Sequence, residues 1–483
     1  MKKLLFLIGI LSSGLYGASI DHIQTYSPDY LANQAQTGMI DEVSAYYNPA
    51  GLSRLDKGKY VHLGLQLANG HEKMSYKGKE HKAHLTQLIP NVSLTSVDDN
   101  GAYFFTFGGL AGGGKLEYDG VSGIDVLSDL AQFQPLGVYD KGSTLTGKNL
   151  YEQVTLGRAF TINDQLSVSV AGRIVHGSRN LSGTLNIGTN PSTAYKQAKV
   201  QQVTQEVSKA VDAATQGSGL SAAQIAAIKQ QKTTQALTLL QTKMNALQQN
   251  GLSGDLDSKR EAWGYGFQIG VNYKVNDKLN LAARYDSRIK MNFKAKGSEN
   301  QLQTADIIGS NIGLSTFYPQ YAINSKIRRD LPAILSVGAS YKVTDNYLVS
   351  TSANYYFNRH AKMDRVTTFG GHEHGRDYKN GWEIALGNEY KLNDKFTLIG
   401  SVNYARTGAK NSSFNDTEYA LNSVTLGAGL RYKYDDTLSI TGSVAHFIYE
   451  KEDGNFKEKY KVNENQKYHK EITAFGISLT KKF

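Results

Sequence analysis

The chain has 483 residues, a formal net charge of +10 from 53 Lys+Arg against 43 Asp+Glu, and no cysteine. Disulfides, thiol chemistry and cysteine-held metals are therefore excluded, and the scattered charges form no basic block of the kind that grips nucleic acid. Gly (48) and Tyr (30) are abundant, Pro is scarce at 7, and mean hydropathy is −0.41.

The first element is a secretory signal. Lys2 and Lys3 precede an apolar run from Leu4 to Leu11, and Gly14, Gly17, Ala18 and Ser19 supply the small residues of a cleavage region. We expect a cleaved signal peptide over 1–18, too short to cross a bilayer as a helix. Beyond it, no segment nears the ~20 apolar residues of a transmembrane helix.

Residues 19–58 lack clean alternation and contain Tyr46-Tyr47-Asn48-Pro49-Ala50-Gly51-Leu52. Asn-Pro followed by Gly is turn chemistry. Pro49 fixes φ and pushes Asn48 toward extended geometry. We expect a compact unit that ends here, where the first strand begins.

From residue 59 the period becomes two. Val61, Leu63, Leu65 and Leu67 alternate with His62, Gly64, Gln66 and Ala68; Leu166, Val168 and Val170 alternate with Ser167, Ser169 and Ala171. Trp263, Tyr265, Phe267, Ile269, Val271 and Tyr273 form a long row opposite Gly264, Gly266, Gln268, Gly270 and Asn272, and segments near Trp382 and Val424 repeat the theme. A soluble sheet would place Lys, Glu and Thr opposite its apolar row. Small polar residues there, on segments of about 9–11 residues, suit a transmembrane barrel.

Asn163-Asp164, Asn276-Asp277, Thr344-Asp345-Asn346, Asn393-Asp394 and Asp435-Asp436 are tight hairpin signals. Between them lie long connections near 113–149, 189–258, 297–320, 362–378, 407–420 and 451–469. Short turns at one end and long loops at the other match the periplasmic and exterior ends of an outer-membrane barrel. The fold class is thus all-β: a transmembrane β-barrel of about 14 antiparallel strands over 59–483.

The longest loop, 189–258, turns helical. Val200, Val203, Val207 and Val211 make one stripe. Ser221 to Gln224 reads as a capping box, and Asn250-Gly251 as a helix stop. The expectation is an extracellular helical hairpin, either burying its own stripes or serving as a lid with an apolar groove. The chain ends on a β-segment closed by Phe483, similar to the signal read by the barrel assembly machinery.

These features together resemble the FadL-type family of outer-membrane transporters for long-chain fatty acids and other hydrophobic compounds. The resemblance rests on the signal, the hatch with Asn48, Pro49 and Ala50, about fourteen strands and the terminal Phe483, with a further echo in Asp330-Leu331-Pro332-Ala333. It implies a monomer in the cell outer membrane whose N-terminal hatch (19–58) plugs the barrel. It also implies a hydrophobic ligand that leaves sideways into outer-membrane lipid through a wall gap. Gly108, Gly109, Gly112 and Gly113 are the candidate gap, because Gly weakens pairing and marks bulges. The readings of an open porin for small hydrophilic solutes and of a surface adhesin using the long loops stay open.

A ligand carboxylate would need a cation. The rows taken as inward hold Arg173, Arg284, Arg288 and Arg431, with Asp286, Glu383 and Glu389 nearby in pattern. These are candidates for carboxylate recognition or for anchoring the hatch. Other chemistries fail on spacing. His372-Glu373-His374 sits among glycines in an exterior loop, Gly108–Gly114 lacks the Lys-Ser/Thr of a phosphate loop, and no Gly-x-Ser-x-Gly occurs. We expect no enzyme activity, no metal and no cofactor.

Overall fold

A ribbon with one large apolar face and one small polar face leaves no edge exposed only when it closes into a ring, which also pairs its backbone donors and acceptors. The computed structural model describes residues 26–131, 133–300, 313–368, 371–375, 377–416 and 418–483. The expected signal peptide (1–18), the first residues of the expected hatch (19–25) and much of the 297–320 loop lie outside the described residues.

Fourteen antiparallel strands form a closed wall. They are β1 Gly58–Tyr76, β2 Lys79–Asp98, β3 Gly101–Tyr118, β4 Thr144–Thr161, β5 Leu166–Gly188, β6 Leu252–Lys274 and β7 in two pieces, Leu279–Asp286 and Asn292–Glu299. The ring continues with β8 in two pieces, Lys326–Arg328 and Ile334–Thr344, then β9 Tyr347–Tyr356, β10 Gly381–Lys391, β11 Phe396–Arg406, β12 Ser423–Lys433, β13 Leu438–Tyr449 and β14 Lys467–Lys482. Strand β1 pairs with β14 from Tyr60↔Lys482 to Ser75↔Lys467 and closes the ring. Phe483 N donates to Lys59 O at 2.8 Å, and Lys59 N donates to Phe483 O at 3.2 Å.

The apolar rows face outward. Trp263, Tyr265, Phe267, Ile269, Val271 and Tyr273 are all exposed on β6, the run a tilted strand needs to cross a bilayer. Tyr273, Tyr341, Tyr390 and Tyr434 lie outside near the short turns, and Trp263, Tyr265 and Tyr355 near the long loops. Such aromatic residues sit at membrane interfaces.

The 189–258 loop is shorter than its sequence pattern suggests at one end only: β5 ends at Gly188, as expected, and β6 already starts at Leu252. The physical reason is an inversion of pattern. Past Trp263, β6 turns Leu252, Leu256 and Arg260 inward and Asp255, Asp257, Lys259 and Glu261 outward. Above the hydrocarbon the outer face meets water, so the strand reads like a soluble one.

Helices Thr193–Thr215 and Ala222–Asn250 form the hairpin. Ser221 accepts from Gln224 N, and the Gln224 side chain accepts from Ser221 N, which completes the capping box. The base of the hairpin is buried through Met244 and Leu247, and Val211 is buried near its tip; Val200 and Leu239 stay exposed. Met244 and Leu247 join Leu127, Tyr318, Phe414 and Phe456 in an apolar roof over the long-loop end.

Residues 26–57 lie inside the ring as helices Pro28–Ala32 and Ser44–Tyr47 and a 3-10 turn Pro49–Arg54. Short wall side chains hold this plug by its carbonyls. Ser340 Oγ and Asn280 Nδ2 donate to Gly38 O at 2.8 and 2.9 Å, Ser401 Oγ to Ala32 O at 2.8 Å, and Ser443 Oγ to Pro28 O at 2.8 Å. The small inward rows are the seat of the plug: a Cβ at Gly338 would fall 2.6 Å from Gly38 N.

Candidate functional site

At plug level, Asn48 and Ala50 are tied to the wall. Asn48 Nδ2 donates to Asn272 Oδ1 at 2.8 Å and to Met39 O at 3.1 Å, and Ser167 Oγ donates to Ala50 O at 2.7 Å. Pro49 opens the 3-10 turn, where its missing N–H leaves no helical acceptor unpaired.

Beside this anchor, Asp286 accepts from Arg173 Nη2 at 3.0 Å, Arg284 Nε at 2.9 Å and Gln268 Nε2 at 2.8 Å. Arg284 Nη1 also donates to Tyr46 O at 2.6 Å and so grips the plug directly. Arg431 lies at the short-turn end and pairs with Glu389 at 2.9 Å. The inward assignment of Arg288 is corrected. Its side chain is 41% exposed, whereas that of Arg284 is 1% exposed. Strand β7 breaks after Asp286, the two-residue phase is lost, and Arg288 Nη1 reaches His360 O at 2.9 Å.

Above the plug a narrow cleft runs under the roof. Its lining includes Leu116, Leu145, Tyr321, Arg179, Arg329 and Glu418, and it reaches Gly113 and Gly114 in the wall. Glu418 accepts from Arg179 Nη2 through one oxygen and from Arg329 Nη1 at 2.6 Å through the other. Arg179 Nε and Nη1 are buried without a hydrogen-bond partner among the described residues. Glu72 and Lys470, paired at 2.7 Å, close another side of the cleft. The sequence reading missed Arg179. The phase from Arg173 through Val175 and Gly177 leads to it.

The wall splits beside this cleft. Strands β2 and β3 pair from Asp98↔Gly101 to Asn91↔Gly108 and again from Leu85↔Leu116, but Thr86–Pro90 and Gly109–Lys115 have no partners across that seam. Five residues thus face seven. Strand β3 stays on β4 by bulging at Leu110 and Gly113. Gly112 takes φ +120°, and a Cβ there would fall 2.3 Å from Asn149 O, so only glycine fits. Pro90, on the other lip, has no N–H to offer the ladder. Gly108, Gly109, Gly112 and Gly113 therefore lie at the split. A second interruption, opposite Ala262–Phe267, is filled: Ile289 and Met291 pack on Gly264 and Gly266.

The roof turns on Asp416, a loop residue between β11 and β12. Its Oδ2 accepts from Gly123 N and Tyr318 OH, both at 3.1 Å, so it joins three loops. Burial pushes its carboxyl up to about 6, against the lowering by the Tyr318 hydroxyl, Lys459 and Gly123 N. The folded group keeps a proton that the unfolded chain has lost, so this stabilisation is full below the unfolded value and fades as pH rises through about 6. The roof should lose up to about 3 kcal/mol between pH 4 and 7. Amide exchange of 119–131 and 313–325 should quicken over that range, and Asp416→Asn should flatten the dependence.

Residues 139–483 match a family model described as Outer membrane protein transport protein (OMPP1/FadL/TodX). The chain belongs to this family. Strands β1 to β3 and the plug precede the matched part. Among relatives, outer membrane protein P1 of Haemophilus influenzae is 24% identical over 337 residues, 66% of this chain and 64% of that one. The 47 kDa outer membrane protein of Pasteurella multocida is 26% identical over 208 residues, 41% and 46%. The long-chain fatty acid transport protein of Escherichia coli O157:H7 is 21% identical over 275 residues, 56% and 58%. The matches thus span about half to two thirds of these relatives. Among solved structures, a Pseudomonas aeruginosa FadL homologue gives a TM-score of 0.64 at 15% identity, covering 95% of this chain and 99% of that one. The P. putida toluene transporter TodX gives 0.61 at 16%, covering 97% and 99%. At such identity the likeness is one of fold. The family match places this FadL-type chain in the outer membrane, and the likeness of fold is that of a closed barrel.

Proposed function

We propose that this chain takes up hydrophobic molecules with an acid headgroup, long-chain fatty acids above all, and releases them sideways into the outer membrane at the β2/β3 split. The observation that carries this reading is Arg179. It offers two buried, unpartnered N–H groups in a cleft that leads to the split. They point to different sides of the guanidinium, and a ligand carboxylate in the cleft would accept from one of them. A neutral aromatic hydrocarbon would leave that one unpaired as well, at a cost of about 1–3 kcal/mol. The alkyl tail gains ~0.8 kcal/mol per buried CH₂, so an apolar path from cleft to bilayer keeps it from water. Residues 26–57 act as the hatch, and their filling of the lumen disfavours an open porin. Arg173 and Arg284 fasten the hatch and do not meet ligand.

Arg179→Gln should weaken oleate binding roughly ten- to a hundredfold, the value of a hydrogen bond to a charged group, and leave toluene binding unchanged. Titration of the purified protein with both ligands decides the matter. Equal oleate affinity in the variant, or wild-type toluene binding tighter than oleate, overturns the fatty-acid reading.

A further inference from the structure

We propose that the outer wall of β6, β7 and β8 carries a binding site for the phosphorylated glycolipid of the outer leaflet, the phosphates of lipid A. The strand register sets like charges side by side on this wall. Lys326 of β8 lies directly opposite Lys294 of β7, and Lys296 of β7 directly opposite Lys259 of β6. All four side chains are exposed. Like charges placed opposite one another across a sheet are destabilising unless an anion covers them.

No outward acid forms an ion pair with Lys294, Lys296 or Lys326 among the described residues: Asp257 of β6 lies opposite Ser298, and Glu261, although opposite Lys294, is taken by Lys259 at 2.7 Å. Asp330 is buried and taken by Arg328 at 2.8 Å. Asp255 accepts from Thr184 at 2.7 Å and Glu299 from Ser315 N at 3.0 Å, further toward the loops. Lys294, Lys296 and Lys326 have no ion-pair partner among the described residues.

Position selects the anion. Trp263 is the last outward aromatic residue of the apolar row, and Glu261, opposite Lys294, is the next outward residue of β6. The cations therefore lie one step above the belt that marks the hydrocarbon edge, at headgroup level on the long-loop side. A lipid docked there would lay its chains on Trp263, Tyr265 and Phe267 and its phosphates on the lysines. This site is separate from the lumen and does not depend on which molecule is transported.

Trp263 is a built-in reporter. In a Trp382→Phe background it is the remaining tryptophan, since the chain has two. The full chain would be placed in nanodiscs of zwitterionic lipid with increasing lipid A that carries a fluorescence quencher. Quenching should saturate at low lipid A, and dephosphorylated lipid A should show only the linear rise of random collision. Each Lys→Gln change should weaken the apparent affinity roughly fivefold, the value of one basic residue at an anionic surface. Lys294→Gln/Lys296→Gln/Lys326→Gln together should abolish saturation, and Lys326→Gln alone decides the matter if the triple variant does not fold. Unchanged saturation in these variants, or equal saturation with dephosphorylated lipid A, overturns the proposal.

Discussion

Asp286→Ala should unseat the hatch and turn a closed barrel into a conducting one. The carboxylate lies between Arg173 and Arg284 at 3.0 and 2.9 Å, and both its neighbours and it are almost fully buried. Removing it leaves two guanidinium groups facing each other away from water, which costs about 3–5 kcal/mol. The strain falls on Arg284, which also donates to the Tyr46 carbonyl of the hatch and to Ser336 Oγ at 3.4 Å. Planar-bilayer recordings should show long open steps where the wild type shows brief ones, and protease should cut the hatch of the variant. Arg173→Met/Arg284→Met/Asp286→Leu is the informative control. Apolar replacement of a whole buried ion cluster is often near neutral for stability, so this protein should fold well yet still lack the Tyr46 anchor. If Asp286→Ala folds and stays closed, the serine and asparagine bonds of the wall suffice to hold the hatch.

That cluster also shows where sequence stopped being informative. The two-residue phase puts Arg173, Arg284 and Asp286 on inward rows, because β5 and β7 run unbroken through those positions; only the closed ring brings them together. The same phase misplaces Arg288, because nothing local announces that β7 breaks after Asp286. The break is set by β8, where Asp330 accepts from Arg328 and from Met291 N at 3.3 Å and bends both strands together. The Asp330-Leu331-Pro332-Ala333 echo was thus visible, but not its consequence for a residue more than forty positions earlier. Arg179 was lost for another reason: above the membrane the outer face becomes polar, and the contrast that marks a barrel strand fades. Asn48-Pro49-Ala50 read as a turn, and it is one, but its partners Asn272 and Ser167 come from β6 and β5 and only the closed ring supplies them.

The glycine run of β3 carried the most usable signal, and its register allows the sharpest test of the exit route. Five residues of β2 face seven of β3 across the split, and the two surplus residues are the bulges Leu110 and Gly113 on the β4 side. Deleting both should let five face five and carry the ladder from Asn91 to Leu85 without a gap. Pro90 would still lack one donor. At roughly 1 kcal/mol for each restored pairing, a reopened split becomes rarer by about three orders of magnitude. Uptake of labelled oleate by cells carrying the deletion should therefore collapse, while oleate binding at Arg179 in purified protein stays near the wild-type value. Gly113→Ala provides the matched control, since a Cβ there meets nothing within 4 Å and the count of five against seven is unchanged; its uptake should be normal. Wild-type uptake by the folded deletion variant would mean that ligand leaves past the hatch and not through the wall.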